Sequence, residues 1–195
     1  MGLRPVFTPL DTRLERKPCP TMTIDAASPP ATRQELFNRL AELDIRVQTI
    51  EHPAVFTVAE SEALERDIAG GHTKNLFLKD AKGRLFLIIA HAQTGIDLKS
   101  LHKRLGAARF SFGKADLMKT VLGVSPGSVT AFALINDPTG RVSVVIDQAL
   151  MQFDTINCHP LENTATTSIA REDLLRFIRA CGHTPSVTDL TSTAE

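Results

Sequence analysis

The stretch "HTKNLFLKDAKGRLFLIIAHA", residues 72–92, restricts the fold more than any other part of the chain. Two apolar runs flank Asp80-Ala-Lys-Gly83, a four-residue turn signal, so the segment predicts a β-hairpin. The second run, "LFLIIA", does not alternate apolar with polar residues. A strand of that kind is covered on both faces and belongs inside a sheet. Gly70-Gly71 precede the hairpin, and Lys74 and Asn75 sit where its first strand begins. A cation and an amide at the entrance to a buried strand either face water at an edge or line a pocket that needs a charge.

The covering elements are legible on both sides. "ATRQELFNRLAELDI" (31–45) predicts a helix, with Thr32 and Glu35 as a capping box and Leu36, Phe37, Leu40 and Leu43 on its apolar side. "RVQTIEH" reads as a short strand ending at Pro53. "TVAESEALERDIAGG" (57–71) predicts a second, acidic-faced helix capped by Thr57 and Glu60 and stopped by Gly70-Gly71. Two short helices, 97–106 and 114–123, each close on a glycine, with "ARFSF" between them. "SVTAFALINDPTGRVSVVIDQAL" predicts a second hairpin around Asn136–Gly140. "FDTINCHP" and "NTATTSI" predict strands, and "AREDLLRFIRACG" a closing helix. Helices and strands mix without strict alternation, which predicts one α+β domain around a mixed, largely antiparallel sheet.

A chain of 195 residues suffices for such a domain. Residues 1–30 are rich in Pro and Thr without a sustained period, and predict a disordered leader; 191–195 predict a tail. Lys+Arg and Asp+Glu balance at 22 each, so overall charge points to no polyanionic partner. Residues 97–120 are the local exception: Lys99, Lys103, Arg104, Arg109, Lys114 and Lys119 stand against two Asp, a net of +4. Trp and Tyr are absent, which weakens any single-strand stacking platform. Cys19, Cys158 and Cys181 form no CxxC pair, and no apolar run reaches 18 residues. The expected setting is a reducing cytoplasm, with no membrane span.

Catalytic signatures are few. GxSxG, P-loop, HExxH and GxGxxG are all missing, and the six histidines include no i,i+4 pair, so no metal site is expected. Cys158 and His159 are adjacent, but neighbouring strand residues point to opposite faces, which argues against a thiol–imidazole pair. In "LGVSPGSV" (122–129) a helix ends at Gly123 and the chain turns at Pro126-Gly127. Such a bend is either a plain connection or a place where successive N–H groups bind an anion or a developing oxyanion.

Three blocks, "GGHTKNLFLKDAKGRLFLIIA", "LGVSPGSVTAFAL" with "NDPTGRVSVVID", and "CHPLENTATTSI", resemble the YbaK / prolyl-tRNA-synthetase-associated editing-domain family over roughly residues 32–190. They are most similar to its free-standing branch that clears Ala-tRNA(Pro). The resemblance implies a barrel-like α+β fold and a cytoplasmic aminoacyl-tRNA deacylase without metal or cofactor. Its substrate would be the alanine-charged acceptor end of tRNA(Pro). Prolyl-tRNA synthetase and an elongation factor are the candidate protein partners, and no DNA is expected.

Matched to the family's motifs, Lys74 is the lysine at the pocket mouth and would meet the 3′-terminal phosphate. Asn75 would hold the ribose or the substrate's amino group. Gly123, Pro126, Gly127 and Ser128 form the loop beside the ester, where N–H groups would stabilise the oxyanion. His159 would position the ribose or the carbonyl, and the terminal ribose hydroxyl would assist the attacking water. Val55 and Phe56 are the candidates for closing the side-chain pocket. Lys99, Lys103, Arg104 and Arg109 would follow the acceptor stem. Relatives that clear Cys-tRNA(Pro) carry a Gly-x-x-x-Pro loop, whereas here Leu122 replaces its first glycine, which favours alanine. The alternatives are a non-catalytic tRNA-end binding module, or a deacylase for Cys-tRNA(Pro) or Ser-charged tRNA.

Overall fold

In the computed structural model, which describes residues 29–54 and 67–191, the hairpin lies in the middle of an eight-stranded sheet. The strands are β1 (Val47–Glu51), β2 (Gly71–Asp80), β3 (Leu85–His91), β4 (Phe110–Phe112), β5 (Val142–Asp147), β6 (Thr155–Cys158), β7 (Ala165–Ala170) and β8 (Ser186–Thr188). Their order is β1-β7-β6-β2-β3-β5-β8, and β4 also pairs with β2. β1/β7, β6/β7, β2/β3 and β2/β4 are antiparallel, whereas β2/β6, β3/β5 and β5/β8 are parallel. The sheet is therefore mixed, as expected. The helices are α1 (Arg33–Glu42), α2 (Leu98–Arg104), α3 (Ala115–Leu122) and α4 (Arg171–Ala180). The expected leader (but for its last two residues), the capped start of the 57–71 helix, Val55, Phe56 and the last four residues lie outside the described residues.

Local chemistry explains most element ends. The Thr32 hydroxyl accepts from the Glu35 N–H and the Glu35 carboxylate accepts from the Thr32 N–H, so the capping box is formed. At the hairpin turn the Asp80 carboxylate accepts from the N–H groups of Lys82, Arg84 and Ala108 and from the Arg84 guanidinium. Burial pulls this carboxyl's pKa upward, but Arg84 and the three backbone donors outweigh it and hold it at about 2.

The second expected hairpin does not form. Residues Ala131–Asn136 make a 3-10 helix, capped by the Thr130 hydroxyl on the Phe132 N–H. Ala131, Phe132, Ala133 and Leu134 are all fully buried, so the run has no solvent face, and a short apolar run of that kind carries no period to separate strand from helix. Only β5 is a strand in this region, and it lies between β3 and β8, so neither edge is open to a hairpin partner. β8 itself, three residues long with Val187 exposed, carried no sequence signal.

The sheet separates two apolar clusters. Phe77, Leu87 and Ile89 join α1, α3 and α4 in the larger one; Leu78, Phe86, Ile88 and Ala90 join Leu101 of α2 in the smaller. Along β2, odd-numbered side chains therefore face the larger cluster and even-numbered ones the smaller.

Candidate functional site

β2 is paired on both sides only in part. Asp80 N–H donates to the Arg84 carbonyl and the His72 carbonyl accepts from the Ala92 N–H, so even-numbered residues turn their peptide groups to β3. Odd-numbered residues turn theirs to the opposite edge. On that edge β6 covers Gly71 and His72, and β4 covers Leu78 to Asp80. Among the described residues no strand pairs with the edge between them, about 13 Å of strand from Thr73 to Phe77. Lys74 and Asn75 lie at the centre of this opening. β6 runs parallel to β2 with Asn157 opposite His72, so His159, two residues on, leaves the sheet level with Lys74.

Lys74 projects to the side of the smaller cluster. Its ammonium donates to the carbonyls of Ala92 (2.9 Å) and Thr94, in the turn that follows β3. That turn is tied to the end of β5: the fully buried Asp147 carboxylate accepts from the Thr94 hydroxyl and the His91 N–H, and from the Ala149 N–H. Asn75 projects to the other side. Its amide nitrogen donates to the Thr73 hydroxyl at 3.4 Å, and the Thr73 hydroxyl donates to the Asn157 carbonyl at 2.8 Å.

The glycine–proline bend is a tight turn. Ser128 N–H donates to the Ser125 carbonyl at 3.0 Å, with Pro126 and Gly127 between them and Gly127 at φ +90°. These are the residues and the positive φ that a type II turn demands. The Ser128 N–H is thereby used inside the turn, so it differs from the oxyanion donor expected there. The Gly127 N–H has no acceptor among the described residues, and a Cβ on Gly127 would lie 3.8 Å from the Asn163 amide. Gly123, at φ +68°, is enclosed: a Cβ there would meet Asn136 at 2.6 Å and Pro30 at 2.7 Å. Its glycine is required by that packing. The loop's Val124 and Val129 belong with the larger cluster, so loop and Lys74 border opposite faces of β2. Asn163, the loop's neighbour at Gly127, lies in the same β6–β7 connection as His159.

His159 has a defined tautomer. Its Nδ1 lies 3.2 Å from the Ala165 carbonyl, which can only accept, so Nδ1 carries the proton and Nε2 presents a lone pair. Nε2 has no partner among the described residues. Burial, opposed by the Ala165 bond and reinforced by the nearby charges of His52 and His72, pushes the His159 pKa below 6.5. The shift favours the neutral ring. Sequence reasoning missed that His52 and His72 stand near it: His52 Nε2 lies 3.0 Å from the Thr166 hydroxyl, and the Asn157 amide lies 3.0 Å from His72 Nε2. Only the strand register gathers them, and no spacing in the chain signals it.

Cys158 is buried beneath Thr73, and burial raises its thiol to about 12. A thiol protonated at neutral pH is no nucleophile. Among the described residues no group of three or more His, Cys, Asp or Glu is placed to hold a metal ion, and no helix is long and apolar enough to cross a membrane. In the basic segment Lys99, Lys103 and Arg109 are exposed. Arg104 is tied to the C-terminal segment through the Asp189 and Thr191 carbonyls at 2.8 and 2.7 Å. Arg109 flanks β4, whose first residue pairs with Asp80, so it stands about 20 Å along β2 from Lys74.

Residues 52–177 match the aminoacyl-tRNA editing domain family. The chain is 37% identical over 153 residues to the prolyl-tRNA editing protein ProX of Acetoanaerobium sticklandii, spanning 78% of this chain and 93% of that protein. It is 40% identical over 164 residues to the prolyl-tRNA synthetase associated domain-containing protein 1 of Danio rerio, spanning 83% and 89%. The fold is shared with a crystal structure described as a candidate trans-editing enzyme for prolyl tRNA synthetase. The TM-score is 0.64 at 19% identity, over 85% of this chain and 99% of that one. The chain thus belongs to the aminoacyl-tRNA editing domain family, and its activity is that of an aminoacyl-tRNA deacylase.

Proposed function

We propose that the protein is a cytoplasmic trans-editing deacylase that removes alanine from mischarged tRNA(Pro). The observation that supports the reading is the edge of β2 between β6 and β4, which carries Lys74 and Asn75, lies level with the register position of His159 and has no strand paired to it among the described residues. The names of the relatives from Acetoanaerobium sticklandii and Danio rerio support prolyl-tRNA as the substrate class.

An aminoacyl ester is a reactive acyl donor, so positioned water and oxyanion stabilisation suffice without a covalent nucleophile. Water attacks the ester carbonyl, and the oxyanion forms against the Gly127 N–H. Collapse breaks the bond to the ribose oxygen, which takes a proton, releasing alanine and the free 3′ end. His159 Nε2 accepts a hydrogen bond from the terminal ribose hydroxyl or the water and so orients the attack. Lys74, anchored on the Ala92 and Thr94 carbonyls, presents positive charge to the 3′-terminal phosphate. Lys99, Lys103 and Arg109 take backbone phosphates of the acceptor stem. Proline-shaped synthetase pockets reject alanine weakly, since each methylene is worth only about 1–3 kcal/mol, whereas a second site too small for proline excludes the correct product.

The test is a deacylation panel. Purified protein is incubated with Ala-, Pro- and Cys-tRNA(Pro) and with Ser-charged tRNA, and loss of the amino acid is followed. Release of alanine with proline retained is expected. Retention of alanine at micromolar enzyme, with the tRNA bound in a gel shift, would instead make the protein a binding module. Lys74→Ala and His159→Ala are expected to slow release with the fold intact.

A further inference from the structure

Phe112 is the one phenylalanine left exposed among the described residues, with 62% of its surface open. It ends β4, the three-residue strand that pairs with β2 beside the open edge. Single exposed apolar residues are common and need no purpose. Face, rigidity and charge set this one apart. Phe112 lies opposite Leu78 and Phe110 opposite Asp80, and residues opposed in an antiparallel pair share a face, so both rings stand on the side of the smaller cluster. Phe110 packs there edge-on to Phe86, with ring centroids 5.0 Å apart, whereas Phe112, nearer the opening, stays uncovered. Lys74 projects to the same side, four residues along β2 from Leu78 and so about 13 Å away.

The strand that carries the ring is pinned at both ends. The Ala81 N–H donates to the Arg109 carbonyl, and the Gly113 N–H donates to the Phe77 carbonyl. A Cβ on Gly113 would run into the Phe77 ring, so glycine is what lets the end of β4 lie so close to β2. Arg109 and Lys114 are exposed on either side of β4, and no acidic residue lies between them in the chain. An open aromatic face on fixed backbone, flanked by cations, matches a flat apolar group attached to a polyanion.

We propose that Phe112 is a stacking platform for one unpaired nucleobase of the tRNA 3′ end. The proposal rests on the deacylase reading for its ligand and adds a base contact to the phosphate contacts of that reading. Every base has a π-face, so a ring beside cations takes one without reading its sequence. Spacing selects the part of the tRNA that lands there. With the terminal phosphate at Lys74, the distance to Phe112 is spanned by about four stacked nucleotides at about 3.4 Å each, and by fewer in an extended strand. The stacked base therefore belongs to the unpaired end, short of the stem assigned to Arg109. Holding that base sets the direction in which the 3′ end enters the opening.

The chain has no Trp, so Phe112→Trp places a single indole fluorophore at the platform. Uncharged tRNA(Pro) is expected to quench it, and the same tRNA trimmed of its unpaired 3′ nucleotides to quench it far less. Phe112→Ala should weaken binding of intact tRNA(Pro), and kcat/KM on Ala-tRNA(Pro), by about 5- to 100-fold, the range for losing one stacked base. Phe112→Leu keeps an apolar side chain without a π-face and should lose a similar factor, whereas Phe112→Trp should hold or tighten binding. Because the ring is exposed, all three variants should melt as wild type does. Equal quenching by intact and trimmed tRNA, or full affinity in Phe112→Ala or Phe112→Leu, would overturn the proposal and leave the deacylase standing. A wild-type dimer in sedimentation that Phe112→Ala abolishes, with tRNA affinity unchanged, would overturn it too and assign the ring to a second copy of the chain. Failure of wild type to release alanine, with quenching by the intact end retained, would remove the deacylase reading and support the stacking contact.

Discussion

Replacing Thr94 with valine probes whether Lys74 is held where it acts. The two side chains have nearly the same shape, so the change removes one hydroxyl from a buried position and little else. That hydroxyl donates to the Asp147 carboxylate, whose other donors among the described residues are the His91 N–H and the Ala149 N–H, both at 3.2 Å. A hydrogen bond to a buried charged group contributes about 1.5–3 kcal/mol, so stability should fall by about 2 kcal/mol. The loss falls on the turn whose carbonyls at Ala92 and Thr94 grip the ammonium. Misplacing a positioning group by about 1 Å costs about 100-fold in rate at the extreme, and a tenfold or greater loss is expected here. Urea denaturation reads the first quantity and single-turnover deacylation of Ala-tRNA(Pro) the second. Thr94→Ser restores the hydroxyl and should recover both. In a cycle with Lys74→Ala the activity losses should be far from additive, because both variants remove one positioned charge. Full activity in Thr94→Val despite lost stability, or losses that simply add, would show that the β3 exit turn does not position Lys74 for the reaction.

Other outcomes follow from individual residues. Because burial lowers the His159 pKa below 6.5, its Nε2 lone pair should persist through neutral pH. Activity should fall as pH drops below 6.5 through the depressed pKa. Folding stability should decline in the same window, since the unfolded chain takes up that proton first; a pH–rate profile and denaturation at each pH measure the two. Gly123→Ala forces a Cβ into Asn136 and Pro30 at a positive φ, and a loss of about 1–3 kcal/mol is expected by thermal or urea unfolding. Cys158→Ala should leave the deacylation rate within about twofold, since a thiol raised to about 12 supplies no nucleophile. Asp80→Asn should destabilise the hairpin at pH 7, with the difference from wild type disappearing as pH falls from 3.8 through about 2, where the native carboxylate is itself protonated.

Features carried by a few consecutive residues were legible before any coordinates. The Thr32–Glu35 capping box, the Asp80–Gly83 turn, the Gly123 stop and the two-sided burial of β3 each depend on neighbours within about five positions, and each formed as read. Their chemistry is local: a side-chain oxygen meets an N–H three residues on, or a glycine alone tolerates a left-handed backbone. Lys74, Asn75 and His159 were likewise visible as unusual residues, but β2 begins at Gly71 and so carries Lys74 and Asn75 within the strand and not at its start.

What those residues touch was decided by the fold, because the partners are far away in the chain. Thr94 meets Asp147 across 53 residues and Thr73 meets Asn157 across 84, and no spacing rule reaches so far. The apolar run Ala131–Leu134 became a 3-10 helix because both edges of β5 were already occupied. Ser128 lost its N–H to the turn it closes, and Arg109 came to stand at the far end of β2. Asn75 Oδ1 is buried without a hydrogen-bond partner beside a Thr73 hydroxyl whose proton goes to the Asn157 carbonyl on another strand. Caps and turns follow from short-range hydrogen bonds that the chain makes with itself as it is written. The reactive geometry follows from competition among long-range ones, which no residue can settle alone.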